Sequence, residues 1–505
     1  MTRHHGRVRL AAAGIVALCA TACAVPADRD VGELAALPAA VDEAFAAAAG
    51  PEPAPGEGSL AAPEGGAGPI AGGAADAPAV PVAPDAPAAP GRRRTAGTAP
   101  RPAATGAPAT IAVGFQVSKN VTGAFAAVGA EGEPPEERRI VDALVAWANQ
   151  HGGIAGRRIV PVVHETDPTA GSFATQAQAA CADFTEDHRV FAVASSPVGG
   201  NDALLACMAQ KGTPLLEQNH WLFDDDYYRR FGSVLYQPGK ARPDRWVPAW
   251  VDGLAAQGYF KDAVLGLVRF DAPVFERLHT RLLVPRLRRH GVRPAAEVAI
   301  RTPGGVSDFG AMAAEINSAI LRFRTAGVTH VMILENAAVM SFFWMPQAES
   351  SGFRPRYGMS SAGSPTTISN QAPAAQLARA VGVGWSPPVD VYDAQHPGGN
   401  PIWETCMAII RAAGLSTGYK SQGYYVQPHC DSLFFLRAAM AAAPSFDRAG
   451  LRAGAAALGE DYQSPFAHRT RLGPGRTDGA AAWRAFAFDD ACACWRYHGG
   501  LHPLP

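Results

Sequence analysis

From Thr110 onward the sequence alternates short apolar runs with stretches of helical periodicity, and this alternation restricts the fold more than any other feature. Thr110–Gly114 reads as a buried strand. An amphipathic helix follows near Glu137–His151, and Gly152-Gly153 stops it before a second strand at Arg158–His164. The pattern continues through helix Ala170–Glu186, strand Val190–Ala194, helix Asn201–Lys211, strand Thr213–Leu216 and a short strand at Val234–Gln237. A helix at Trp246–Gln257 opens a second series: strand Ala263–Val268, helix Val274–His290, strand Ala295–Ala299, helix Phe309–Ala326 and strand His330–Leu334. Then come strand Ala380–Gly384, helix Asp431–Ala443, and the strand pair Ala482–Phe488 and Ala491–Tyr497. Strands separated by helices of about 10 to 15 residues build βαβ units around a parallel sheet. A run of roughly 395 residues is too long for one sheet and one core, so two lobes are the natural division.

The chain ahead of Thr110 has a different texture. Arg3, His4, His5, Arg7 and Arg9 form a basic start, and Leu10–Leu18 is an apolar run too short to span a bilayer permanently. Ala20-Thr21-Ala22 then lead into Cys23, a run that resembles a bacterial lipobox, although Ala20 stands where Leu is usual. Residues 1–23 are therefore expected to be an export signal, with lipid on Cys23; a plain secretory signal is the alternative. Residues 24–108 are almost entirely Ala, Pro and Gly, and lack the large apolar side chains that offset ordering entropy. Such a stretch is expected to be a disordered tether, about 50 Å root-mean-square and about 260 Å fully extended. It either lifts a domain off a membrane or is neutral low-complexity drift. No later stretch is long and apolar enough for a membrane-spanning helix.

Net charge is −1 at pH 7, which gives no electrostatic footprint for nucleic acid or an acidic membrane surface. Membrane contact is expected through the anchor alone. Beyond Cys19 and Cys23, six cysteines remain, an even number that favours disulfides in an exported chain. Cys181–Cys207, on two helices flanking one strand, and Cys406–Cys430 are the favoured pairs. Cys492 and Cys494 read as facing one side of a strand, where a direct bond lies near the strained limit. Zinc is the alternative use of these cysteines, but no Cys/His spacing supports it.

Ligands of open parallel sheets meet the carboxyl ends of the strands. In the first lobe these tips are Gln116-Val117-Ser118, Ser195-Ser196 and Glu217-Gln218-Asn219; in the second they are Arg269-Phe270-Asp271, Glu335-Asn336 and Ser360-Ser361. Ser195 and Ser196 precede a helix near Asn201, whose free N–H groups favour a carboxylate; an ordinary N-cap is the alternative. Asp271 and Glu335 are candidates for a ligand ammonium, or are loop acids without a partner. Trp221 either stacks on a ligand or packs within its lobe. Asp224-Asp225-Asp226 lacks the glycine and distal Glu of a calcium loop and reads as a solvated turn.

The string Ala148-Asn149-Gln150-His151-Gly152-Gly153-Ile154-Ala155-Gly156-Arg157-Arg158-Ile159 resembles the N-x-x-G-G-I-x-G-R-x-I helix–turn–strand of type I periplasmic binding proteins, in the branched-chain amino acid and amide-binding branch. Val190–Asn201 resembles that family's ligand loop, and Cys430-Asp431-Ser432-Leu433 is similar in position to its Y-D-A helix, with Cys430 in place of Tyr. The resemblance covers roughly residues 108–500. It implies an α/β fold of two doubly wound parallel-sheet lobes, 109–242 with 385–470 and 243–384 with 471–505. Three hinge crossovers near 240–262, 360–385 and 470–482 are implied, with a solute bound in the cleft as the lobes close. It also implies that a serine at 195–196 holds a ligand carboxylate. Gln218 and Asn219 stand where relatives have smaller residues, which argues against a standard aliphatic amino acid.

No catalytic constellation stands out. Gly358-Met359-Ser360-Ser361-Ala362 fails the G-x-S-x-G pattern at its last position, and no S-x-x-K, H-E-x-x-H or P-loop occurs. The expectation is a monomeric, non-enzymatic, cofactor-free and metal-free solute-binding lipoprotein on the outer face of the cell membrane. It would capture an amino acid or amide-like solute for an ABC permease; a sensor of the same fold is the alternative. The candidate ligand contacts are Gln116, Ser118, Ser195, Ser196, Gln218, Asn219, Trp221, Asp271, Glu335 and Ser360.

Overall fold

The computed structural model describes residues 109–127, 134–196, 201–218, 222–416 and 418–505. Cys23, the tether, Asn219 and Trp221 lie outside the described residues. In chain order the first sheet is built by β1 (Thr110–Ser118), α1 (Val121–Ala127), α2 (Glu137–Gln150), β2 (Arg158–Thr166), α3 (Phe173–Ala182), β3 (Ala192–Ser195), α4 (Asn201–Gln210), β4 (Leu215–Glu217), α5 (Asp225–Phe231) and β5 (Leu235–Tyr236). Its strands are all parallel in the order β2-β1-β3-β4-β5. The join between α2 and β2 explains the glycine string: Gly152 and Gly153 adopt positive φ, and a Cβ at Gly153 would sit 1.9 Å from the Arg157 carbonyl oxygen. Asn149 clamps the turn by bonding both the N–H and the C=O of Ile159.

The second sheet follows: α6 (Pro243–Ala256), β6 (Leu265–Phe270), α7 (Pro273–Leu278), α8 (Val284–Arg289), β7 (Ala296–Ile300), α9 (Phe309–Thr325), β8 (His330–Leu334), α10 (Val339–Ser350), β9 (Arg356–Ser360), α11 (Pro365–Ser369), α12 (Ala374–Leu377) and β10 (Val381–Gly384). The expected helix Val274–His290 is α7 and α8 joined by a π-helical turn, His279–Leu283. The chain then passes through α13 (Pro387–Asp390) to α14 (Pro401–Ala412), α15 (Gln422–Ala441) and α16 (Arg448–Ala457), which pack on the first sheet. It ends in the hairpin β11 (Ala482–Asp489) and β12 (Cys494–Pro503). The second sheet runs β12-β11-β10-β9-β8-β6-β7, parallel except for β11 and β12. Counted from its first strand it repeats the 2-1-3-4-5 order of the first sheet, with two strands added.

One core fills the second lobe, while the two faces of the first sheet carry separate clusters. The crossings sit closer to the sheets than expected. Trp246 and Trp250 of α6 are already buried in the second core, so the first crossing is complete by about residue 242. Likewise β10 still belongs to the second sheet, and the second crossing begins after Gly384 rather than near 360. Ion pairs stitch the first crossing to the third: Arg242 and Arg245 both bond the fully buried carboxylate of Asp478, at 2.7 and 2.5 Å.

Disulfides join Cys181 to Cys207, tying α3 to α4, and Cys406 to Cys430, tying α14 to α15. Cys492 is bonded to Cys494. The two do not share one strand face: Cys492 lies in the β11–β12 turn, where Ala493 has positive φ, and only Cys494 begins the strand.

Candidate functional site

Between the lobes lies a cleft with a cavity of ≈ 120 Å³. The first lobe supplies Ser118 at the tip of β1, Val121 and Ala124 of α1, Glu137 at the start of α2, Phe173 at the start of α3, Ser196 and Gln218 beyond β3 and β4, and Tyr424, Tyr425 and Pro428 of α15. The second lobe supplies Val306, Phe309, Ala337, Val339, Phe342, Phe343 and Thr367. Aromatic rings flank it on both sides: Phe309 and Phe343 meet at 5.4 Å between centroids, and Tyr424 and Tyr425 stand edge-to-face at 4.9 Å. The result is a mostly apolar pocket with a few placed polar groups, the usual make-up of a small-molecule site.

The lobes touch beside the cleft. The Phe173 N–H donates to the Gly304 carbonyl at 3.0 Å, and Arg277 of α7 donates to Asp224 at 2.7 Å. The Asp224-Asp225-Asp226 run is thus not a solvated turn. Asp224 caps α5 and is 3% exposed, Asp225 pairs with Arg242, and Asp226 pairs with Arg229, Arg277 and Arg281. Three consecutive acids are held in place by arginines from both lobes.

Of the sequence-derived candidates, Ser118, Ser196 and Gln218 reach the cleft. Gln116 and Ser195 lie just beneath it: the Gln116 amide donates to Thr166 at 3.1 Å and its oxygen accepts from the Ser195 hydroxyl at 3.0 Å. This rung bonds β1 to its neighbours β2 and β3 and leaves both side chains internally satisfied. Asp271 and Glu335 are occupied elsewhere. The Asp271 carboxylate holds the chain after β7, accepting from the N–H and hydroxyl of Thr302 at 2.8 and 2.9 Å, beside a separate surface depression. Glu335 is buried and turned toward the start of α10, where it accepts from the amides of Met340 and Ser341 and from the Ser341 hydroxyl. Burial pushes its carboxyl up to about 7 against the lowering effect of those bonds. Ser360 is buried at the end of β9, and its neighbour Ser361 accepts from the amides of Trp385 and Ser386.

Sequence reasoning missed Glu137, Phe309, Phe342, Phe343, Tyr424 and Tyr425. Two of these lie on the first turn of α15, which starts at Gln422 rather than Asp431. Pro428 inside that helix reads in sequence as a break. Asp431, one turn further on, anchors the cleft floor: it accepts from Gln218 at 2.7 Å, from Ser464 at 2.7 Å, and from Tyr462. Burial pushes this carboxyl up to about 6, opposed by those three donors. Glu137 accepts from Nε2 of His429 at 2.8 Å, with both side chains buried. Among the described residues no group of three or more His, Cys, Asp or Glu side chains is placed to hold a metal ion.

No family profile matches the sequence, and no curated protein does. Solved structures do match in fold. An extracellular ligand-binding receptor from Verminephrobacter eiseniae aligns over 77% of this chain and 100% of its own, with TM-score 0.56 and 14% identity. A branched-chain amino acid ABC transporter structure from Thermus thermophilus with bound valine aligns over 78% and 97%, with TM-score 0.56 and 14% identity. An ABC transporter substrate-binding protein from Desulfitobacterium hafniense in complex with leucine aligns over 77% and 99%, with TM-score 0.53 and 15% identity. The chain therefore has the fold of the type I periplasmic binding proteins, two doubly wound lobes around a cleft.

Proposed function

We propose that this chain is an extracellular solute-binding lipoprotein, anchored through Cys23, that captures a small amino- or amide-bearing solute for an ABC permease. The observation that carries this reading is the cavity walled by both lobes, apolar for most of its surface and furnished with hydroxyl, amide and carboxylate groups. The matching folds support it, since the similar structures include an ABC transporter substrate-binding protein in complex with leucine and a branched-chain amino acid ABC transporter with bound valine. The long Ala/Pro/Gly stretch after Cys23 supports a tether, with reach enough to present the lobes away from a membrane. In this reading the solute joins the two walls, and hinge motion at the three crossings opens and shuts them.

The test is thermal unfolding of the full-length chain across a panel of amino acids, amides and amines. A solute present at 100 times its dissociation constant adds about 2.7 kcal/mol of stability. At least one compound is expected to raise the melting temperature; a flat response across the whole panel contradicts the proposal. Labelling of the chain with fatty acid in a bacterial host, abolished by Cys23→Ser, tests the anchor.

A further inference from the structure

Accepting the cleft as a solute site, we infer that the group it recognises is an ammonium: the solute is a primary or secondary amine carried on an apolar body. Two independent observations converge on this. The first is charge. Among the described residues lining the cavity, Glu137 is the one acid, and no Lys or Arg accompanies it. Its hydrogen-bond partner is Nε2 of His429, while Nδ1 of that ring is buried without a partner. The ring nitrogen bonds the carboxyl from behind, and Glu137 stands on the cleft wall as the acid of the lining.

The second observation is an unmet acceptor. Gln218 is fully buried and lines the same cavity. Its Nε2 donates to the Asp431 carboxylate, an acceptor, and this fixes which way the amide points. Its Oε1 is consequently the free end, and it has no hydrogen-bond partner. A buried carbonyl oxygen in that state needs a donor. Carboxylate and amide oxygen are both acceptors, so a ligand group with several N–H donors and a positive charge satisfies both. An anionic group would meet Glu137 with nothing in the lining to offset the repulsion. The surrounding rings of Phe309, Phe343, Tyr424 and Tyr425 accommodate a cation as well as apolar surface, because the faces of aromatic rings attract positive charge.

The experiment is calorimetric titration of the full-length chain with matched sets in which only the head group changes: amine, alcohol and carboxylate, each on a 2-phenylethyl, 3-methylbutyl or cyclohexylmethyl body. On at least one body the amine is expected to bind about tenfold or more tighter than the alcohol, as for a charged hydrogen bond made in a buried site. The carboxylate is expected to be weakest. Glu137→Gln is expected to bring the amine down to the level of the alcohol, and Gln218→Leu to weaken the amine more than the alcohol. Because the wild-type comparison needs no variant, poor folding of either variant leaves the test intact. Alcohols or carboxylates binding as tightly as the amines overturn the ammonium assignment and leave the solute-site reading standing. If none of these compounds binds while another member of the broad panel does, the assignment again fails alone. A chain inert to everything overturns both.

Discussion

The two lobes use one strand order and put their tips to different ends. In the first lobe the tips of β1, β3 and β4 deliver Ser118, Ser196 and Gln218 to the cavity. In the second, the equivalent acids after β6 and β8 are spent on their own lobe, Asp271 on Thr302 and Glu335 on the first turn of α10. That lobe instead offers the side chains of α9 and α10, Phe309, Phe342 and Phe343, so its contribution is apolar. Topology decides where strand tips lie. Whether a tip is available to a ligand depends on whether the local backbone has already claimed it, and Glu335 was claimed by the unsatisfied amides of a helix start.

The largest effect is expected where the first lobe's tip is anchored. Asp431→Ala strips the acceptor from Gln218, Tyr462 and Ser464 at once, and unpaired buried donors cost about 1–3 kcal/mol each. Urea unfolding should register a loss of roughly 4 kcal/mol; a loss under about 1 kcal/mol would break the picture of an anchored floor.

The second lobe's buried acid predicts a pH dependence. The folded-state value of Glu335, about 7, lies above its usual 4.5, so the folded protein holds that proton more tightly than the unfolded chain. Its contribution to stability is full below about pH 4.5 and disappears as pH rises through about 7, a span worth up to roughly 3 kcal/mol. Denaturation curves of wild type and Glu335→Gln at pH 4.5 and 8 isolate this part, since the other carboxyls that burial raises, Asp390, Asp393 and Asp431, titrate in both proteins. Equal pH dependence in the two would show that Glu335 is not the buried acid described here.

Two smaller effects separate the walls. Phe343→Ala should weaken solute binding by roughly tenfold through lost ring contact. Asp271→Asn should leave affinity within about twofold, since the carboxylate serves Thr302 rather than the cleft. Titrations of both variants with one solute reverse the account if Asp271 proves the stronger.

The fold was legible because its signals are local. Apolar runs, the glycine pair at 152–153 and helix spacing place most strands and helices of both sheets, and they do so without reference to tertiary contacts. Elements governed by less regular signals were missed. The α10 sequence, Val339–Ser350, is apolar on nearly every side and carries Pro346, so no amphipathic period shows. Of the β9 stretch, Arg356–Ser360, only the tip at Ser360-Ser361 was read, because the strand has no β-branched residue. For α14 a signal was present: Asn400 caps the helix and Pro401 opens it. The site was legible only on the first lobe's strand tips. Its aromatic half sits on helices whose prolines hide them, and Glu137 reads in sequence as an ordinary first-turn acid.

The central claim is that both walls close on one small molecule. Native mass spectrometry of the full-length chain, gently purified and then given its best solute from the panel, tests it most directly. The account predicts a single bound small molecule per chain, sharply depleted by Phe343→Ala on one wall and by Tyr425→Ala on the other, and little changed by Asp271→Asn. A solute retained equally by all three variants would place binding outside this cleft and contradict the account.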